Sequence, residues 1–101
     1  MKKMFLVVYR YYLEEKVQAV LSNLGVKAFS EAPKVLGVGE AGKVQDTHVF
    51  PGYNACVFAV LPEADVGRLV DAFREFSRKH EEEFGKAAPL RAFVLPCEQV
   101  V

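Results

Sequence analysis

The sequence predicts an α+β fold in which a four-stranded antiparallel sheet, in βαββαβ order, carries two helices on one face. Three observations predict it. Two segments have the helical period. Each is flanked by short runs of β-forming residues. The strand–helix–strand unit occurs twice within 101 residues.

The first strand is Met4 to Tyr9, a short apolar run. Tyr12 to Leu24 is the first helix, because Leu13, Val17, Val20, Leu21 and Leu24 fall on one stripe with Glu14, Glu15, Gln18 and Ser22 off it. Gly25 stands where a C-terminal cap glycine belongs. Val26 to Leu36 is the second strand, with Pro33 pointing to an edge position or a bulge. Ala55 to Leu61 is the third strand, closed by Pro62.

Val66, Leu69, Val70, Phe73 and Phe76 make the second helical stripe, with Asp65 at the N-cap or in the first turn. Glu81 to Glu83 is expected to fray, and Gly85 to turn the chain. Leu90 to Leu95 is the last strand, closed by Pro96. Two interleaved right-handed βαβ units of this kind give the ferredoxin-like arrangement. The chain is expected to be one domain, residues 1–101.

The strands are apolar at consecutive positions, as in Phe5, Leu6, Val7 and Val8. A sheet with one face in water alternates instead. Helices account for one face, so other subunits are expected to cover the second.

Bulk properties exclude several classes. Thirteen basic and thirteen acidic side chains leave no net charge, against general nucleic-acid binding. No apolar run approaches the ~20 residues of a membrane span, and the run after Lys3 is too short for a signal segment. Cys56 and Cys97 form no Cys-x-x-Cys pair, and Cys56 reads as a buried small hydrophobe. A cytoplasmic location is the expectation.

The most unusual stretch is the connection Leu36-GVGEAGKVQDTHVFPGYN-Ala55, which holds four of the seven glycines. Hairpin connections are usually about two to five residues, and much longer ones are commonly functional. Gly37, Gly39 and Gly42 spell Gly-x-Gly-x-x-Gly, but no helix follows, which rejects a dinucleotide-binding turn. Lys34, Lys43, Lys86 and Arg91 are the candidate phosphate partners, Arg91 being the most informative because it opens an otherwise apolar strand.

Tyr9, Tyr11 and Tyr12 crowd the first strand–helix junction, where they either pack or line a cleft. His80 lies at a helix end, where the dipole favours a cation. No Ser-His-Asp set, paired carboxylates or exposed activated cysteine suggests an enzyme.

With Gly37-Val-Gly39 leaving a strand, a long polar segment, and Thr47-His-Val-Phe-Pro-Gly52 entering the next, the chain resembles the nitrogen regulatory P-II-like superfamily. The copper-tolerance CutA proteins are structural relatives of that group. The resemblance implies a non-enzymatic, homotrimeric signalling protein. Residues 37–53 would form its T-loop, with Glu40, Gly42, Asp46 and His48 meeting a protein partner, a transporter or an enzyme. A small effector, with an adenine nucleotide (ATP, ADP or AMP) as candidate, would lie between subunits near Gly37, Gly39, Lys43, Lys86 and Arg91. Where P-II proteins follow the glycine step with arginine and glutamine, this chain has Glu40 and Ala41. The alternative implied by the CutA-like relatives is a metal binder using His48 and a cysteine, although no histidine or cysteine pair here has zinc-site spacing.

Overall fold

The computed structural model describes residues 1–35 and 53–101, together with the backbone of 38–39 and 42–43. Strand β1 (Lys2–Arg10) leads through a 3-10 turn (Tyr11–Leu13) into helix α1 (Glu14–Asn23). Strand β2 (Ser30–Val35) follows, then the two-residue strands β3 (Val38–Gly39) and β4 (Gly42–Lys43), which pair with each other. Strand β5 (Asn54–Pro62), helix α2 (Glu63–Phe84) and strand β6 (Leu90–Cys97) complete the order. The main sheet runs β2-β5-β1-β6 and every pairing in it is antiparallel. This is the expected α+β, ferredoxin-like architecture.

Helix α1 ends in a hydrogen-bonded cap that also corrects the expected start of β2. Gly25, at φ 76°, donates to the Ser22 carbonyl at 3.0 Å, and Val26 donates to the Leu21 carbonyl at 3.0 Å. This is the paired closure that a left-handed glycine permits. It uses the Val26 N–H and packs Val26 against the core, so pairing begins only at Ser30. Pro33 sits on the edge strand within a register shift between Ala32 and Val35, where its missing N–H breaks no ladder bond.

Helix α2 starts at Glu63, which places Asp65 in its first turn. It continues through Glu81 to Glu83 and stops at Gly85, at φ 72°. The expected fraying does not occur. Arg78 pairs with Glu75 and, at 2.7 Å, with Glu82, while the His80 and Phe84 rings pack at 4.7 Å. Strand β6 runs past Leu95 through Pro96, which an edge strand tolerates.

The core lies between the helices and one face of the sheet. Phe5, Val7 and Tyr9 of β1 and Ala55 and Val57 of β5 meet Leu13, Val17 and Leu21 on one side and Leu69 and Phe73 on the other. Side chains alternate along a strand, so the remaining residues form a second face on which neither helix lies. In register there, Leu6 stands between Phe58 and Phe93, and Met4 between Val60 and Leu95. Phe58 is 37% exposed and Phe93 49% exposed. Cys56 belongs to this face and is half-buried, because no helix packs over it.

Candidate functional site

Val35 and Asn54 are paired across β2 and β5, so the 36–53 connection leaves and re-enters at one end of the sheet. The other chain reversals at that end are the β1–α1 junction and the turn before β6. Two backbone bonds clamp them together. The Arg10 N–H donates to the Pro89 carbonyl at 3.1 Å, and the Tyr11 N–H donates to the Tyr53 carbonyl at 3.0 Å.

The clamp positions a cluster of aromatic and cationic side chains. The Tyr11 and Tyr53 rings lie 4.8 Å apart, and Lys34 Nζ lies 5.3 Å from the Tyr53 ring centroid. Arg10 Nη1 donates to Asn54 Oδ1 at 3.5 Å, and its Cζ lies 6.0 Å from the Tyr11 ring. A cleft of about 410 Å³ opens beside it, lined by Val8, Arg10, Asn54, Pro89, Arg91 and Phe93. Arg91 pairs with Val8 in register, and Arg10 follows two residues on, on the same face. That is a diagonal spacing of about 7–8 Å between the two arginine positions.

Among the described residues neither arginine meets a carboxylate. The ion pairs among them lie at Lys3–Glu63 and along α2. Two neighbouring guanidinium groups without an anion, on a partly apolar wall, suit a carboxylate or phosphate ligand.

The expected site residues divide into three groups. Arg91 lines the cleft, but it is exposed and has no carboxylate partner among the described residues, because β6 is an edge strand. Lys86 is exposed in the turn after α2, where its carbonyl lies 3.1 Å from His80 Nδ1. Gly39, Gly42 and Lys43 are seen as backbone in the β3–β4 pair. Gly37, Glu40, Asp46 and His48 lie outside the described residues.

The structure also assigns places to the aromatic and histidine candidates. Tyr9 is a core residue, Tyr11 stacks at the loop base, and Tyr12 is exposed. His80 lies near the C-terminal end of α2 as expected, and it is 8% exposed, with its Nδ1 3.1 Å from the Lys86 carbonyl and its ring against Phe84. Sequence reasoning did not single out Arg10, Tyr53 or Asn54. The available signal was their place at strand ends bordering the long connection.

No protein-family model matches the chain, and no curated protein matches it. Solved structures do. CPII, a nitrogen regulatory PII-like protein from Thiomonas intermedia K12 bound to ADP, AMP and bicarbonate, superposes with a TM-score of 0.70. It is 20% identical over 92% of this chain and 82% of its own. The chain has the fold of the PII-like proteins.

Arabidopsis thaliana PII bound to citrate gives a TM-score of 0.67 at 19% identity, covering 95% of this chain and 77% of that one. A DUF3240 family protein from Shewanella baltica OS155 gives 0.67 at 14% identity, covering 99% and 93%. Among the described residues no helix is long and apolar enough to cross a membrane.

Proposed function

We propose that this chain is a divergent, non-enzymatic PII-like regulator that binds a small anionic effector at the base of its long loop. The observation that carries the reading is the convergence of the loop's two feet, Val35 and Asn54, with Arg10 and Arg91 at one end of the sheet. The fold neighbours support it. CPII carries ADP, AMP and bicarbonate, and the Arabidopsis protein carries citrate. Adenine nucleotides and small carboxylate-like anions are therefore the ligands to test first. Arg10 and Arg91 would take the negative charge, and the Tyr11–Tyr53 pair would provide an aromatic surface at the entrance.

The uncovered sheet face supports self-association, in the homotrimer that PII-like proteins form. Its aromatic row, Phe58, Leu6 and Phe93, gains by leaving water. Residues 37–53 act as a T-loop-like segment, with Gly37, Gly39 and Lys43 toward the effector and Glu40, Gly42, Asp46 and His48 toward a transporter or enzyme partner. Lys86 stands at the neighbouring turn. The protein acts in the cytoplasm. The alternative, a CutA-like metal binder, would use His48, which lies outside the described residues.

A thermal-shift panel with ATP, ADP, AMP, citrate and bicarbonate, run beside sedimentation velocity, tests the reading. It expects stabilisation by at least one of these anions and a trimer at micromolar concentration. A monomer that none of the five stabilises would overturn it.

A further inference from the structure

The two edges of the main sheet are built differently. At one edge, β2 carries Glu31, Pro33 and Lys34, and its register shifts between Ala32 and Val35. Charge, proline and irregular pairing keep an edge from accepting another strand. At the other edge, β6 has no charge from Ala92 to Leu95, and its pairing with β1 is regular from Lys2 to Tyr9. A regular apolar edge of this kind is a template for strand addition.

The register gives the direction of the free backbone groups. The Arg10 N–H donates to the Pro89 carbonyl, and these two residues stand opposite each other one step beyond the Tyr9–Leu90 pair. Bonded and non-bonded pairs alternate along an antiparallel ladder. Arg91, Phe93 and Leu95 therefore turn their N–H and C=O groups toward β1, and Ala92 and Val94 turn theirs to the open edge. The side chains of Ala92 and Val94 are on the helix face, because they pair with the core residues Val7 and Phe5.

Phe5 and Val7 are buried, yet Val94 is 39% exposed and Ala92 is exposed as well. Helix α2 thus stops short of β6 and leaves a groove of about 460 Å³ beside these two residues. Phe5, Val70, Phe73 and Leu90 complete its apolar wall, and Arg74 and Ser77 are its polar members. Arg68 and Arg78 of the same helix have carboxylate partners, whereas Arg74 makes no ion pair among the described residues.

Three features run side by side here: open backbone donors and acceptors, an apolar trough, and a cation without an anion. A small molecule would leave the strand edge unused. A second copy would bring either the blunted β2 edge or a β6 edge with its own Arg74, a like charge. An extended peptide bearing a carboxylate uses all three.

We propose that β6 accepts an extended segment of a partner protein as a fifth strand, with apolar side chains in the groove and an acidic side chain on Arg74. Pro96 has no N–H to offer, so the added pairing ends before it. The groove lies on the helix side, opposite the sheet face proposed for self-association, and the proposal does not depend on the anion cleft.

The probes are fluorescein-labelled heptapeptides Lys-X-Thr-Glu-Thr-X-Lys, with X as Val, Leu, Ile or Phe, which put both X side chains and the glutamate on one face of a strand. Fluorescence anisotropy with the full-length protein is expected to show saturable binding of at least one of them. Arg74→Glu weakens that binding at least ~10-fold, and a peptide with lysine in place of its glutamate regains it in the same variant. Ala92→Pro removes an N–H that faces the open edge, leaves the β1 ladder intact, and weakens binding at least ~10-fold. N-methylation of every second peptide amide, made in both phases, abolishes binding to wild type in at least one phase, which carries the same test should Ala92→Pro not fold. No binding by any of the peptides, unchanged affinity in Arg74→Glu, or full affinity of both N-methylated forms overturns the proposal. So does sedimentation velocity in which a folded Ala92→Pro chain loses its assembly, which would make this edge a contact between copies.

Discussion

Arg10 Nη1 donates to Asn54 Oδ1 at 3.5 Å, joining the last residue of β1 to the residue at which the long connection re-enters the sheet. A ligand that draws the Arg10 guanidinium toward itself therefore acts on the foot of the loop. Arg10→Gln and Arg91→Gln are each expected to weaken binding of the effector anion by at least ~10-fold, from the loss of charge-assisted hydrogen bonds of about 1.5–3 kcal/mol. Calorimetry of the two variants beside wild type checks this. Unchanged affinity in both would place the ligand elsewhere.

Leu6 lies between Phe58 and Phe93 at the centre of the uncovered sheet face. A lysine there puts a charge into any interface built on that face. Leu6→Lys is expected to give a folded monomer by sedimentation velocity, with its far-UV circular dichroism retained. An assembly of unchanged mass would show that another surface associates.

Phe73 is the aromatic anchor of α2, 3% exposed, with its ring centroid 5.4 Å from that of Phe5. Truncation removes the apolar contact and leaves a void. Phe73→Ala is expected to cost about 3–5 kcal/mol in urea unfolding. A loss under ~1 kcal/mol would mean that the helix–sheet interface can collapse around the gap.

Burial, followed by the nearby carboxylates Glu31 and Glu14, pushes the Tyr9 phenol up to about 12 from 10.0. The folded chain therefore holds this proton more tightly than the unfolded chain. This contribution is complete below pH 10.0 and is lost as pH rises toward about 12. Alkaline unfolding should be steeper in wild type than in Tyr9→Phe over that window. Tyr9→Phe should also be no less stable than wild type at neutral pH, because the hydroxyl it removes has no partner. Parallel alkaline unfolding curves would contradict the first statement, and a Tyr9→Phe variant less stable than wild type at neutral pH would contradict the second.

The fold was legible because periodicity and punctuation agreed along the chain. The Val17–Leu21 and Leu69–Phe73 stripes, Gly25, Pro33, Pro62 and Gly85 each mark an element or its end. Continuous apolarity in β1 and β5 also pointed to the second, uncovered face. The errors came from tertiary bonds that local pattern does not carry. Val26 spends its N–H on the helix cap instead of the sheet. Glu82 stays helical because Arg78 holds it.

The site was less legible. Arg91 stood out against its apolar strand, but its neighbour Arg10 is distant in sequence and is brought near only by the β1–β6 register. The Gln18–Glu31 hydrogen bonds likewise need the β2 edge to fold back beside α1. In sequence these are two ordinary polar residues thirteen positions apart.

The central claim is that the strand-end cleft binds a small anionic effector. Its most direct test is isothermal titration of ADP, AMP and ATP into the wild-type chain, with and without bicarbonate, repeated on Arg10→Gln/Arg91→Gln. The account predicts saturable heat with at least one nucleotide, near one ligand per chain, and its loss in the double variant. No heat with any of the three under either condition, or equal binding by the double variant, would contradict it.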